Sequence, residues 1–212
     1  MDAIVFDWDG TLVDSLPAIY DANTKVLAEF GLPFDADRHR AAYVPDWRLM
    51  YRRLGIPEDA VEAAGARWLE LYRLTDQAVL LPRVAASLRR LADAGFVMGL
   101  VTAGHRDVVD AQVERHGLGD LLVSRVFGND PIASKPHPDP LLRVLDELGR
   151  SHRIATARYV GDVPDDMRMA RAVGSVGIGI ESTVGTRGDL LAAGATAVYP
   201  GVAEFVDDLL GT

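Results

Sequence analysis

From residue 82 to the end, short apolar runs alternate with stretches whose apolar residues recur every three or four positions. The runs suited to buried strands are Phe96–Val101, a shorter piece within Leu121–Phe127, Arg158–Val160, Val176–Ile180 and Ala195–Tyr199. Helical spacing falls between them. Pro82 opens a helix carrying Val84, Leu88 and Leu91, and Val109 and Val113 mark the next. Leu141, Leu145 and Leu148 mark another, followed by Pro164–Val173 and a short one near Gly188–Ala193. Val202, Phe205, Val206 and Leu209 line the last. Strands that alternate with helices are joined as βαβ units, which makes the sheet parallel. The expected fold class is therefore α/β, a Rossmann-like three-layer core. A parallel sheet gathers the carboxyl ends of its strands on one edge, where open α/β sheets bind their ligands.

The first strand, Ala3-Ile4-Val5-Phe6, stands apart from this rhythm. Asp7-Trp8-Asp9-Gly10-Thr11 ends it, and a helical block then follows. Asp14-Ser15 can cap a helix with Leu16, Ile19, Ala22, Val26 and Phe30 on one face. Trp47–Leu54 reads as a short helix closed by Gly55. Pro57-Glu58-Asp59 opens another, with proline first and acid in the first turn, whose stripe is Val61, Ala64, Trp68 and Leu71. The expected organisation is a core of residues 1–14 and 79–212, with a small all-helical insert of residues 15–78 beside the strand ends. An insert there can serve as a lid.

The polar residues just past the apolar runs are Asp7, Asp9, Thr102, Lys135 and Asp162, with Asp166 one helical turn on. On one sheet edge these bring carboxylates, a hydroxyl and an ammonium together. Bare carboxylates so close repel and push one another's pKa up. A divalent cation resolves the repulsion, and an all-oxygen set with few carboxylates suits Mg²⁺. Lys135 and Thr102 then suit a phosphate, with backbone donors from Ala103 and Gly104 where a helix opens. Beside a bound phosphate, one carboxylate can attack phosphorus and another can move a proton. The net charge of −9 argues against a nucleic-acid backbone as partner. The absence of cysteine excludes disulfides and thiolate metal sites. No charged-then-apolar leader or membrane-length run occurs, so a soluble cytoplasmic protein is expected.

In these motifs the chain resembles the haloacid dehalogenase-like superfamily of phosphotransferases. The match is Asp7-x-Asp9-Gly10-Thr11 after a strand, Thr102 after a second, Lys135-Pro136, and Gly161-Asp162-x-x-x-Asp166, in the family's order. The resemblance implies that Asp7 is the nucleophile and Asp9 the general acid and base. It implies Mg²⁺ on the Asp7 carboxylate, the Asp9 carbonyl and Asp162, with Asp166 holding the metal's water shell or Lys135. The contacts expected for the phosphate are Gly10, Thr11, Thr102, Ala103, Gly104 and Lys135, with Arg48 of the insert at the substrate's far end. The stretches Asp7–Ser15, Lys135–Leu142 and Gly161–Ala172 are similar to the phosphoglycolate phosphatase-like branch. The chain departs from that branch at Arg83, where glycine usually follows the proline, and at Ala103, where a polar residue is common.

The activity this implies is Mg²⁺-dependent hydrolysis of a small phosphate monoester, phosphoglycolate-like or a sugar or nucleotide phosphate, through an aspartyl-phosphate. A phosphomutase of the β-phosphoglucomutase type is the alternative. A metal-independent dehalogenase is disfavoured, since it has no leaving alkoxide for Asp9 to protonate. The expected partner is a small phosphorylated metabolite, with neither nucleic acid nor membrane involved. The chain is expected to be a monomer or homodimer, and the sequence does not choose between them.

Overall fold

The computed structural model describes residues 2–44, 46–75 and 78–212. Met1, Pro45, Asp76 and Gln77, which the expected domain spans include, lie outside the described residues. Along the chain come β1 (Ala3–Phe6), β2 (Val13–Asp14), α1 (Leu16–Glu29), α2 (Ala36–Ala42), α3 (Trp47–Leu54), α4 (Val61–Thr75) and β3 (Val79–Leu80). Then follow α5 (Val84–Asp93), β4 (Val97–Val101), α6 (Arg106–Arg115), β5 (Leu122–Val126), α7 (Asp139–Glu147) and β6 (Arg158–Gly161). The chain closes with α8 (Pro164–Val173), β7 (Val176–Ile180), α9 (Arg187–Ala193), β8 (Ala197–Tyr199) and α10 (Val202–Leu210). Two compact units result, one of Met1–Asp14 with Leu80–Thr212 and one of Ser15–Val79.

The first unit is built on a six-stranded sheet in the order β5-β4-β1-β6-β7-β8. Every described pairing in it is parallel. β1 lies centrally, and all four of its residues are buried, as a strand covered on both faces requires. Successive side chains alternate between faces. Ala3 and Val5 join a core with Leu141, Val144 and Leu145 of α7 and Met169 and Ala170 of α8. Asp7 has the parity of Ala3 and Val5, so that face delivers it to the strand's end. The ladder runs one residue past the strands here, with the Asp7 N–H donating to the Val160 carbonyl at 2.8 Å and Thr102 N–H to Val126 at 3.0 Å.

Arg83 has φ of +64°, the left-handed conformation, and is the one non-glycine residue with positive φ among those described. That conformation accounts for the glycine usual at this place, since a Cβ is strained there. Its guanidinium reaches α10, donating to Asp207 at 2.5 Å and Glu204 at 3.4 Å, and Arg90 binds the same Asp207 at 2.6 Å.

The second unit is helical apart from its last residue, Val79, which belongs to β3. Its core joins Val26 and Leu27 of α1, Met50, Tyr51 and Leu54 of α3, and Val61 and Ala64 of α4, with Trp47, Trp68 and Leu71 packed against it. Two local features differ from the expected pattern. Asp35–Arg40 reads as a mixed charged stretch, yet α2 forms there because the Asp35 carboxylate accepts from Arg38 N–H at 2.8 Å and caps it. Glu58–Ala60, expected as the first turn of a helix, is a separate 3₁₀ turn before α4. No helix among the described residues is long and apolar enough to cross a membrane.

Candidate active site at the strand ends

The turn after β1 is tight. The N–H groups of Leu12 and Val13 both return to the Trp8 carbonyl, at 2.9 and 3.2 Å, and Gly10 N–H donates to Val13 O at 2.9 Å. Gly10 has φ of +80°, and a Cβ there would fall 2.5 Å from Asp162 Oδ2. The glycine is thus required twice, by backbone conformation and by the carboxylate against it. Replacing Gly10 with alanine is expected to cost on the order of 1–2 kcal/mol of stability, read as a lower thermal midpoint.

Asp7, Asp162 and Asp166 each offer an oxygen within 4.8 Å of the others, and all three residues are buried. Asp7 follows β1, Asp162 follows β6, and Asp166 lies in the first turn of α8. Lys135 is the buried counter-charge, with Nζ 2.6 Å from Asp7 Oδ1 and 2.8 Å from Asp166 Oδ1. Asp166 Oδ2 accepts from Val163 N–H at 3.1 Å, so this carboxylate is committed to Lys135 and to its own helix. Thr11 was expected to touch phosphate. It is fully buried, and Oγ1 stands 3.4 Å from both Asp7 Oδ2 and Asp162 Oδ1. A hydroxyl between two carboxylates orients them, because it has one proton and both are acceptors.

Asp162 Oδ2 is buried and has no hydrogen-bond partner. A buried carboxylate oxygen left bare costs several kcal/mol, roughly, unless something positive meets it. Burial is also the main cause that pushes Asp7 up to about 7, against the pull of Lys135 and with Asp166 adding to the rise. Burial also pushes Asp162 well above the usual carboxylate range, helped by Asp7 and Asp166, while a hydrogen bond from Ser182 acts the other way. For Lys135, burial opposes the charge, but the Asp166 and Asp7 carboxylates outweigh it and hold the ammonium well above an ordinary lysine. Three crowded carboxylates, an all-oxygen donor set and one bare buried oxygen fit a hard divalent cation.

Asp9 lies on the other side of the turn. It is not among the three clustered carboxylates, and its Oδ2 lies beside Gly104, 3.3 Å from where a Cβ on that glycine would sit. The carboxylate therefore faces the loop after β4. In that loop Thr102 Oγ1 accepts from Gly104 N–H at 2.9 Å. This amide, expected to serve a phosphate, is already engaged by the threonine, whose own proton remains to donate. The loop packs backbone to backbone on the next one: Gly104 O accepts from Gly128 N–H at 3.0 Å, and a Cβ on Gly128 would meet Ala103 O at 2.0 Å. Arg106 fastens the two loops by donating to Asp130 at 2.6 and 2.8 Å. Arg48, the expected distal contact, belongs to the second unit and there pairs with Glu62 at 2.5 and 3.1 Å.

Two functional neighbours carry no motif. Tyr159 is an ordinary strand tyrosine by sequence, yet its hydroxyl sits among Lys135, Asp166 and the Val101 carbonyl. Trp8 lies between the two aspartates of the first turn, and its Nε1–H donates to Gln112 Oε1 at 2.6 Å with both residues fully buried. Gln112 was detectable as a polar residue on the apolar face of α6, next to Val109 and Val113.

The pattern that describes haloacid dehalogenase-like hydrolases matches residues 1–174. A phosphoglycolate phosphatase of Rhodospirillum rubrum is 34% identical over 218 residues, spanning 97% of this chain and 89% of that protein. A phosphoglycolate phosphatase of Yersinia pseudotuberculosis is 33% identical over 186 residues, 84% of this chain and 79% of its own. The crystal structure of a hydrolase from Pseudomonas syringae superposes with a TM-score of 0.87 at 25% identity, over 100% of this chain and 99% of that one. With the matched pattern covering every strand-end residue described above, the chain belongs to the haloacid dehalogenase-like hydrolase family.

Proposed function

We propose that this phosphatase is Mg²⁺-dependent and hydrolyses a small phosphate monoester, phosphoglycolate-like or a sugar or nucleotide phosphate, through an aspartyl-phosphate on Asp7. One observation carries the reading: Asp7 lies 2.6 Å from the buried Lys135 ammonium, in a carboxylate cluster where Asp162 Oδ2 has no partner. Asp7, through its carboxylate, and Asp162 would hold the cation, with the Asp9 carbonyl as the third protein ligand. When bound, the cation neutralises the carboxylates and draws charge from the phosphoryl oxygens.

The chain's own groups do the rest. Lys135, held charged by Asp7 and Asp166, attracts a phosphoryl oxygen, and Thr102 donates a hydrogen bond to another. An Asp7 oxygen attacks phosphorus while the bond to the ester oxygen breaks. Asp9 passes its proton to that leaving oxygen. Asp9 then takes a proton from the water that attacks the aspartyl-phosphate, which releases inorganic phosphate and restores Asp7. The substrate is a small phosphorylated metabolite; the acidic net charge of −9 disfavours nucleic acid.

A panel of phosphorylated metabolites, phosphoglycolate among them, tests this with Mg²⁺ and then with a chelator. Phosphate release that requires the metal supports the reading, and turnover that survives chelation overturns it. Conversion of a glucose phosphate to its isomer without free phosphate replaces hydrolysis with mutase chemistry. Asp9→Asn is expected to slow alkyl phosphates by about 10²–10⁴-fold, the usual range for general acid catalysis. It should slow p-nitrophenyl phosphate far less, because that leaving group hardly needs a proton. Equal slowing of both substrates removes Asp9 from the acid role.

A further inference from the structure

We propose that Tyr159 is a positioning residue that sets phosphate affinity by fixing Lys135 and Asp166 against the loop that carries Thr102. This rests on the function proposed above. The Tyr159 hydroxyl lies 2.9 Å from Val101 O, 3.2 Å from Asp166 Oδ1 and 3.4 Å from Lys135 Nζ. It is fully buried on β6, and its ring centroid lies 5.9 Å from Nζ. One phenol thereby joins three separate parts of the site: the end of β4 beside Thr102, the lysine, and the first turn of α8.

The donors and acceptors explain why a tyrosine serves here. An ammonium has three N–H donors and no acceptor, and Lys135 spends two of them on Asp7 and Asp166. The phenol oxygen is the third recorded partner and the only neutral one, so it steadies the lysine without adding a fourth charge to a crowded site. Its single proton stays on the buried side, where Val101 O and Asp166 Oδ1 both face it. Burial, followed by the nearby Asp166, holds that proton well above the ordinary tyrosine range. Phenylalanine would keep the ring packing and leave the Val101 carbonyl, the Asp166 oxygen and one lysine N–H without this partner. Removing such a bond inside a charged, buried network weakens the equilibrium it supports by roughly tenfold to a hundredfold.

The test compares wild type with Tyr159→Phe, both saturated with Mg²⁺. Expected are a tenfold or greater rise in KM and in the inhibition constant of inorganic phosphate, with the half-saturating Mg²⁺ concentration unchanged within twofold. A tyrosine that is merely structural would move metal and phosphate binding together, and that result overturns the proposal. So does unchanged phosphate affinity in an active variant. In a Lys135→Met background, Tyr159→Phe should add nothing further to the loss of phosphate binding, and an undiminished effect there refutes action through the lysine. Should the phenylalanine variant fail to fold, Tyr159→His, which keeps a hydrogen-bonding ring atom, carries the same comparison and is expected to lose less phosphate affinity than Lys135→Met. A wild type that releases no phosphate from any monoester overturns the phosphatase reading itself, which an active wild type with an indifferent tyrosine does not.

Discussion

Replacing Asp7 with asparagine is expected to abolish phosphate release, by about 10⁴-fold or more, the scale on which enzymes lose rate when a covalent nucleophile is removed. Asparagine has nearly the same volume; its carbonyl oxygen still accepts from Lys135, as Asp7 Oδ1 does at 2.6 Å, and its amide nitrogen takes the place of Oδ2 and can donate to Thr11 Oγ1, 3.4 Å away. The fold is therefore expected to survive while the chemistry does not. Single-turnover assays with p-nitrophenyl phosphate provide the measure. A residual rate above a trace removes Asp7 as the attacking group and leaves the cluster as a metal site alone.

The second large effect is on stability and depends on pH. Without metal, Asp7 holds its proton up to about pH 7, against 3.8 for the free side chain, chiefly because it is buried. Its folded pKa is raised, so the stability it contributes is fully present below about pH 4 and is lost as pH rises through 7. Asp162 is shifted in the same direction by the same cause. A rise from 3.8 to about 7 corresponds to on the order of 4 kcal/mol, or on the order of 10 °C in a protein of this size. Buried His39 is shifted downward by desolvation and works the other way, since its contribution is lost as pH falls. The difference between wild type and Asp7→Asn reports the aspartate together with its effect on Asp162. In chelator, the wild-type midpoint should fall relative to the variant between pH 5 and 8. Magnesium should raise the wild-type midpoint more at pH 8 than at pH 5, since metal and proton compete for the same oxygens. Parallel curves in chelator would show that the cluster does not titrate as a buried acid.

The sheet was legible in the sequence because its strands are short apolar runs between glycines and helical stripes. β4 and β8 came out one and two residues shorter than the runs that announced them. Val97–Val101 sits within Phe96–Val101, and Ala197–Tyr199 within Ala195–Tyr199. Apolar residues flanking a strand look the same in sequence as those inside it. α2 escaped notice because its stability comes from one side-chain cap, not from a long apolar face. Asp7 and Asp162 stand out by position, since a charged residue directly after a strand is costly to bury unless it meets a partner; Lys135 lies on the loop after β5 and Asp166 in the first turn of α8, and the fold brings all four together. Tyr159 was invisible for the opposite reason. Tyrosine in a strand needs no explanation, and only three-dimensional proximity gives its hydroxyl a task. Thr11 shows a further limit: sequence places a hydroxyl near the aspartates but does not say that it stands between Asp7 and Asp162.

The buried indole between the two aspartates of the first turn has a practical consequence. The other two tryptophans, Trp47 and Trp68, pack in the helical unit, so a protein carrying phenylalanine at both keeps a single tryptophan, in the turn between Asp7 and Asp9 in sequence. Held by Gln112 and shielded from water, Trp8 would fluoresce as a built-in gauge of what its two neighbours bind.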